Sequence, residues 1–460
     1  MRPGGFAILL ALALSACATP REPPASPSGE PMVRVLVERN GDSWSARYRF
    51  AREAPGWAFI RSALIYGQGQ AWRPLSWVIA TPGLRWERRD GRDVIVAERG
   101  NVPREVRIDF RPAPLTLQAD YSPALVFTGG TVALFTDHFL AVPIDQAEEA
   151  AEAPVQLNFR DRRGQLLHRG VRYDSARFDG EAQTYILFGP AEPLSTEHLT
   201  AIVDSALPGW FRDELLTFLP RVLALYGDAL GDPALADKPM VMMSWGGAAT
   251  SGYSQHGSVL PGLIVMQLQG SGMLNPDPGI LDSVRWFIAH ESAHFWLGQR
   301  VRYESARESW MTEGGADLLA VRAVAASDPA YDPLPQLQRE VDDCARLSAG
   351  RGVAGASERG EHRAYYACGA VFGLVAEAAS RQPFSAFVRA LIDSNRADGV
   401  LTRDEWLAEL DRVSRDSTLS RDIRAMLDEG VADPKAAMAS LFARAGVPHT
   451  IAADGMPRLR

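Results

Sequence analysis

The chain has 460 residues, 46% of them hydrophobic and 23% charged, a balance ordinary for globular protein and enough for roughly two or three domains. Its net charge of −8 argues against nucleic acid as a partner. Of the three cysteines, Cys17 stands apart at the start of the chain, leaving Cys344 and Cys368 as a pair available for one disulfide.

Arg2 precedes an apolar run from Phe6 to Leu14, and Leu14-Ser15-Ala16-Cys17 follows. The run is too short to span a bilayer and has the charged, apolar, small-residue layout of a secretory signal. Residues 1–17 resemble a bacterial lipoprotein signal, which implies lipidation of Cys17 and attachment to an envelope membrane. Ala18 and Thr19, rather than an acid, follow Cys17, which within that resemblance implies the outer membrane, facing the periplasm. Residues 18–31, rich in proline with Ser26, Ser28 and Gly29, read as an extended tether. Further on, the apolar stretch Ala124 to Phe135 is broken by Gly129 and Gly130, so no later segment reads as a membrane span.

Residues 32–195 read as an all-β domain. Val33–Val37, Trp44–Phe50, Val94–Val96, Val106–Phe110 and Tyr185–Phe188 are short, alternating or β-branched, with turn signals such as Asn40-Gly41-Asp42 between them. His138 and His168 fall here and are read as ordinary structural histidines. From residue 196 the pattern becomes mixed: helical over Leu199–Val203 and Trp210–Tyr226, then strand-like at Val241-Met242-Met243. Gly262–Leu268 reads as an edge strand on which an extended peptide could lie.

His290-Glu291-Ser292-Ala293-His294 is followed after 18 residues by Glu313. On a helix, residues four apart share a face, so His290 and His294 can grip one ion. Neutral imidazoles and a carboxylate suit zinc, and a hydrolytic site keeps a fourth position open for water. Glu291, one step round the helix, is placed to take a proton from that water. The predicted helix runs from Asp282 to Gly298, capped by Asp282 or Ser283 and closed by Gly298. A second helix, Trp310–Ala325, carries Glu313 and, one turn on, Asp317, placed to accept the free N–H of a ligating imidazole.

His290-Glu-Ser-Ala-His-Phe-Trp-Leu-Gly-Gln-Arg-Val301 and Ser309-Trp-Met-Thr-Glu-Gly-Gly-Ala316 resemble the two zinc blocks of the M1 metallopeptidases, spacing included. The glycyl aminopeptidases of family M61 are a near neighbour but lack the Trp-x-Gly continuation. The resemblance covers residues 245 to 375. It implies one zinc ion per chain, a thermolysin-like catalytic domain over 196–383, an N-terminal β-sandwich and a short C-terminal helical region over 384–460: an α+β multidomain fold. It also implies an oxyanion-stabilising tyrosine in a Tyr-x-x-Gly block. Tyr365-Tyr366-Ala367-Cys368-Gly369 supplies one, and the spacing to glycine selects Tyr366, with Tyr365 as a packing residue. A Cys344–Cys368 bridge would tie the loop before this tyrosine helix to the helix itself.

One feature of the family is missing. Where M1 aminopeptidases carry a glutamate for the substrate's free amine, this chain reads Ser251-Gly-Tyr-Ser-Gln-His-Gly257, with Gln255 or His256 at the expected place. An amide brings no charge, and charge-assisted bonds are about twice as strong. The expectation is therefore a zinc peptidase of the cell envelope acting on peptide substrates, an aminopeptidase by resemblance. Its rivals are a peptidase with no free-amine requirement and a zinc-containing envelope lipoprotein that binds peptide without cutting it. Ser394–Glu405 imitates a calcium loop, but Arg396 stands where a ligand belongs, so it reads as a connector between helices.

Overall fold

A computed structural model describes residues 30–145, 155–197, 199–233, 235 and 237–460. Cys17 and most of the tether lie outside the described residues. Among those described, no helix is long and apolar enough to cross a membrane.

The N-terminal half is built from strands, as its alternating pattern predicts. Val33–Asn40 lies beside Ser43–Phe50 in antiparallel register and beside Val155–Asp161 in parallel, inside a six-stranded sheet. A four-stranded sheet built on Gly56–Phe59 and Arg92–Ala97 accompanies it. Their shared core is aromatic: Phe50 stacks on Trp57 at 3.8 Å, and Trp77 meets Trp72, Phe59 and Phe139. Arg73 is fully buried here and paired with Asp93 at 2.9 Å, with its guanidinium over the Phe59 and Trp72 rings. His138 lies in this core, and His168 packs edge-on against Phe178.

A third sheet carries Leu166–His168, Tyr185–Phe188, Val132–Phe135 and Ala124–Val126. Its apolar face (Leu125, Phe135, Tyr185, Leu187) packs against Ile202, Met240, Met242, Leu263 and Val265 of the C-terminal half. That buried seam joins the two halves.

The C-terminal half holds a five-stranded sheet in the order Leu194–Ser195, Thr200–Val203, Met240–Trp245, Leu263–Gln269, Ser254–Leu260. The three inner strands are parallel and the outer two antiparallel. Leu199–Val203, expected as helix, is mostly the strand Thr200–Val203, whose β-branched residues fit a buried parallel sheet. The exposed edge is Ser254–Leu260, not Gly262–Leu268 as expected. The reason is compositional: Leu-Ile-Val-Met from Leu263 is buried on both faces, as an inner strand requires, whereas Ser-Gln-His-Gly from Ser254 is half-exposed.

The zinc-motif helix spans Pro278–Ala293, starting before the predicted Asp282. Asp277 caps it by accepting from the Ile280 N–H at 3.0 Å, and Pro278 takes the first helical position, where a missing N–H costs nothing. His294 is its C-terminal cap rather than an interior residue. The glutamate helix is Ser309–Ser327 and the tyrosine helix Arg363–Ser380. These two cross at glycines. A Cβ placed on Gly314 would lie 2.3 Å from the Gly369 Cα, and one on Gly369 would lie 2.1 Å from the Trp310 carbonyl oxygen. The backbones are therefore in direct contact.

Helices Phe384–Ser394, Arg403–Ser414, Ser417–Asp428 and Pro434–Ala445 share one core with the catalytic sheet, and Trp406 meets Trp310 at 5.0 Å. The 394–405 segment is a connector. Its Val400–Leu401 pairs in parallel with Arg302–Tyr303, and Thr402 and Glu405 form a capping box. Cys344 and Cys368 are bonded. Cys344 belongs to the helix Leu334–Leu347, not to a loop, because Leu337, Val341 and Cys344 form its buried stripe. The bridge thus staples two helices, with Cys368 next to the crossing glycine. Replacing both cysteines by serine should lower unfolding stability by about 2–4 kcal/mol, read from urea unfolding curves.

Candidate zinc site

His290 and His294 lie four apart across the C-terminal end of the motif helix, and their Nε2 atoms face each other at 3.2 Å. Glu313 Oε2 lies 3.6 Å from His290 Nε2 and 3.4 Å from His294 Nε2. One ligand atom from each of the three lies within 4.8 Å of the others.

The outer nitrogens are held from behind. His294 Nδ1 donates to the Leu297 carbonyl at 2.9 Å. His290 Nδ1 sits 2.8 Å from Asp317 Oδ1; the contact is close but off the hydrogen-bond axis, and neither atom has another partner. With protons on both Nδ1 atoms, two lone pairs and a carboxylate converge on one point. Such a donor set repels itself unless a cation lies within it, and its chemistry fits zinc.

The local fields favour positive charge at this point. Burial opposes charge on His290, but Asp317 and Glu313 outweigh it and carry its pKa well above the ordinary value. The His294 pKa is also raised: burial lowers it, and the Glu313 charge more than compensates. Burial would raise Glu313, yet His294 and then His290 hold it far below the usual carboxylate range. Glu313 is thus a firm anion between the rings. Asp317 is itself backed by Arg363 at 3.4 Å, which also grips Glu340 at 2.6 Å and Asp343 at 3.0 Å. Burial, with Asp317 adding to it, pushes Glu340 up to about 7.

Glu291 is buried, and burial raises its pKa while His290 and His294 pull the other way. A carboxyl so placed is a better proton acceptor than one in water. Tyr366 lies over His290, ring centroids 5.7 Å apart and planes 18° from parallel. The Glu313 charge, then burial, hold its phenol proton well above the ordinary range, so it stands as a donor. Tyr365 points away and donates to the Ala354 carbonyl at 2.9 Å, a packing residue as expected.

A cavity of about 460 Å³ opens onto these groups, lined also by Gly257, Ser258, Val259, Gln299, Arg302 and Tyr303. A second, of about 330 Å³, adjoins it and shares Tyr121, Gly257, Glu291 and Tyr366. Gln255 and His256 line only the second. The Gln255 amide nitrogen donates to Ser283 Oγ at 3.2 Å, while its oxygen is buried without a partner. Burial lowers the His256 pKa, and neither Gln255 nor His256 brings a negative charge.

No protein-family model and no curated relative matches the sequence. Among solved structures, the chain is similar to an aminopeptidase N family protein from Idiomarina loihiensis, at TM-score 0.61 and 10% identity, over 89% of this chain and 78% of that one. It is also similar to leukotriene A4 hydrolase from Saccharomyces cerevisiae, at TM-score 0.52 and 12% identity, over 87% and 68% of the two chains. The yeast leukotriene A4 hydrolase solved with bestatin gives 0.51 and 14%, over 86% and 67%. The chain has the M1 peptidase fold. At such identities the likeness is one of fold.

Within the M1 fold the structure adds residues that local motifs do not reveal. Tyr121 comes from the β domain and donates to the Val259 carbonyl at 3.2 Å, pinning the edge strand. Gln299 closes the strand hairpin, donating to the Leu260 carbonyl at 2.7 Å. Gly257 lies against Glu291: a Cβ there would lie 2.0 Å from Glu291 Oε1 and 2.8 Å from the Phe287 ring. Gly257→Ala should therefore displace the Glu291 carboxyl. Hydrolysis should fall about 100-fold or more while bound zinc stays constant, checked by kinetics beside metal analysis.

Proposed function

We propose that the protein is a zinc-dependent peptidase of the M1 kind. The observation that carries this is the convergence of His290, His294 and Glu313 on one point, with Glu291 and Tyr366 beside it. Zinc held by those three ligands would supply Lewis acidity toward water and the scissile carbonyl. Glu291 takes the proton of the attacking water and passes it to the leaving amine. Tyr366 donates a hydrogen bond to the oxyanion that develops on the carbonyl oxygen. Asp317 and the Leu297 carbonyl keep the two rings turned inward. The exposed edge strand Ser254–Leu260 offers its backbone to an extended peptide.

A peptidase indifferent to a free N-terminus is supported by a specific feature. Besides Glu291 and Glu313, the carboxylate lining the two cavities is Asp120, which pairs with Arg61 at 2.8 Å. No uncommitted acid among the described lining residues receives an ammonium. The proposal also places the enzyme at a bacterial envelope membrane through Cys17, on the strength of Leu14-Ser15-Ala16-Cys17.

Glu291→Gln separates enzyme from scaffold. It should lower hydrolysis of any cleaved peptide about 100- to 10,000-fold while leaving zinc content and peptide affinity intact. Equal behaviour of the variant and wild type on every peptide would favour the scaffold. Within the enzyme reading, equal cutting of free and N-acetylated peptides, followed by mass spectrometry, would favour the reading without amine recognition.

A further inference from the structure

Among the described residues, Arg302 is the arginine that lines the cavity of about 460 Å³, where there is no lysine, and it has no part in the metal-binding cluster. Its backbone is fixed. It pairs with Val400 in the short parallel ladder, and its N–H donates to the Gly399 carbonyl at 2.9 Å. Arg302 is exposed and lines the cavity, and among the described residues no carboxylate pairs with it.

An arginine fork suits a carboxylate, which it can bind through two parallel N–H donors, and it repels an ammonium.

Resting on the peptidase reading above, we infer that Arg302 selects substrates that place a carboxylate at its end of the cleft. The carboxylate comes from a peptide's C-terminus or from an Asp or Glu side chain, the chemistry being the same. The substrate class is therefore anionic peptides, and Arg302 is a specificity-determining residue that touches the substrate and leaves the hydrolytic chemistry to Glu291 and Tyr366.

The test uses the zinc-loaded full chain and matched peptides: each sequence as C-terminal acid and amide, and with Glu or Gln at each position in turn. Relative kcat/KM is measured on wild type, and binding of the same pairs is measured calorimetrically on Glu291→Gln. The expected result is a preference of about tenfold or more for the anionic member in one series, shrinking as salt rises. The acid–amide series reports a terminal carboxylate and the Glu–Gln series a side chain. Arg302→Gln should bring the ratio near one, Arg302→Lys should keep part of it, and Arg302→Glu should invert it toward Lys-containing peptides. Melting temperature and zinc content of the variants confirm the fold. Equal binding and cleavage of both members in every pair, or an anionic preference that survives Arg302→Glu, overturns the inference. If wild type cuts nothing while the binding preference and its reversal hold, the recognition stands and the peptidase reading falls.

Discussion

The site depends on two helices whose backbones touch. Gly314 and Gly369 meet with no room for a Cβ on either, so the glutamate and tyrosine helices approach as closely as polypeptide allows. Glu313 precedes the first glycine, and Tyr366 lies one turn before the second. A larger residue at either position would part the helices and carry the carboxylate away from the phenol. Glycine costs about 0.5–1 kcal/mol in a helix interior relative to alanine, and here the close approach accounts for it. The Cys344–Cys368 bond, beside the crossing, ties a third helix to the pair.

Around that crossing lies an arrangement of charge that is costly to bury. Glu313 lies 3.6 Å and 3.4 Å from the two imidazoles and Asp317 2.8 Å from His290, with Glu291 buried beside them, and isolated carboxylates in such surroundings are strongly disfavoured. The structure compensates from behind, with Arg363 linking Asp317, Glu340 and Asp343, and in front through the cation that the converging ligand atoms favour. Stability is set aside locally so that a proton acceptor, a phenol donor and a metal-binding cluster can share one wall of the cleft. Arg302, held by a strand ladder from the C-terminal region, lines the same cavity.

The amino-acid sequence made the chemistry of the site legible because its parts are local. His290, Glu291 and His294 sit within a single helical turn and a half, Glu313 and Asp317 one turn apart, and Tyr366 at fixed distance from a glycine. The all-β character of the first half was legible for the same reason, alternation being a property of neighbours in the chain. What depends on distant pairing was not. Whether Leu263–Gln269 or Ser254–Leu260 is the edge depends on which strand has a second neighbour, and composition alone carried that only faintly. Tyr121 reaches the cleft from 138 residues before the carbonyl that it binds. Arg302 looks like an ordinary surface charge until Val400–Leu401 pins it against the cavity. The helix start was missed at Pro278, where Asp277-Pro278 carried the signal of a cap followed by a first-turn proline.

The proposed chemistry requires one metal ion held by His290, His294 and Glu313. A zinc-edge anomalous difference map from crystals of the zinc-loaded protein tests this most directly. A single peak bounded by His290 Nε2, His294 Nε2 and Glu313, and absent from His294→Ala crystals grown alike, is the predicted result. A map with no peak there, or with zinc bound only elsewhere, would contradict the account at its centre.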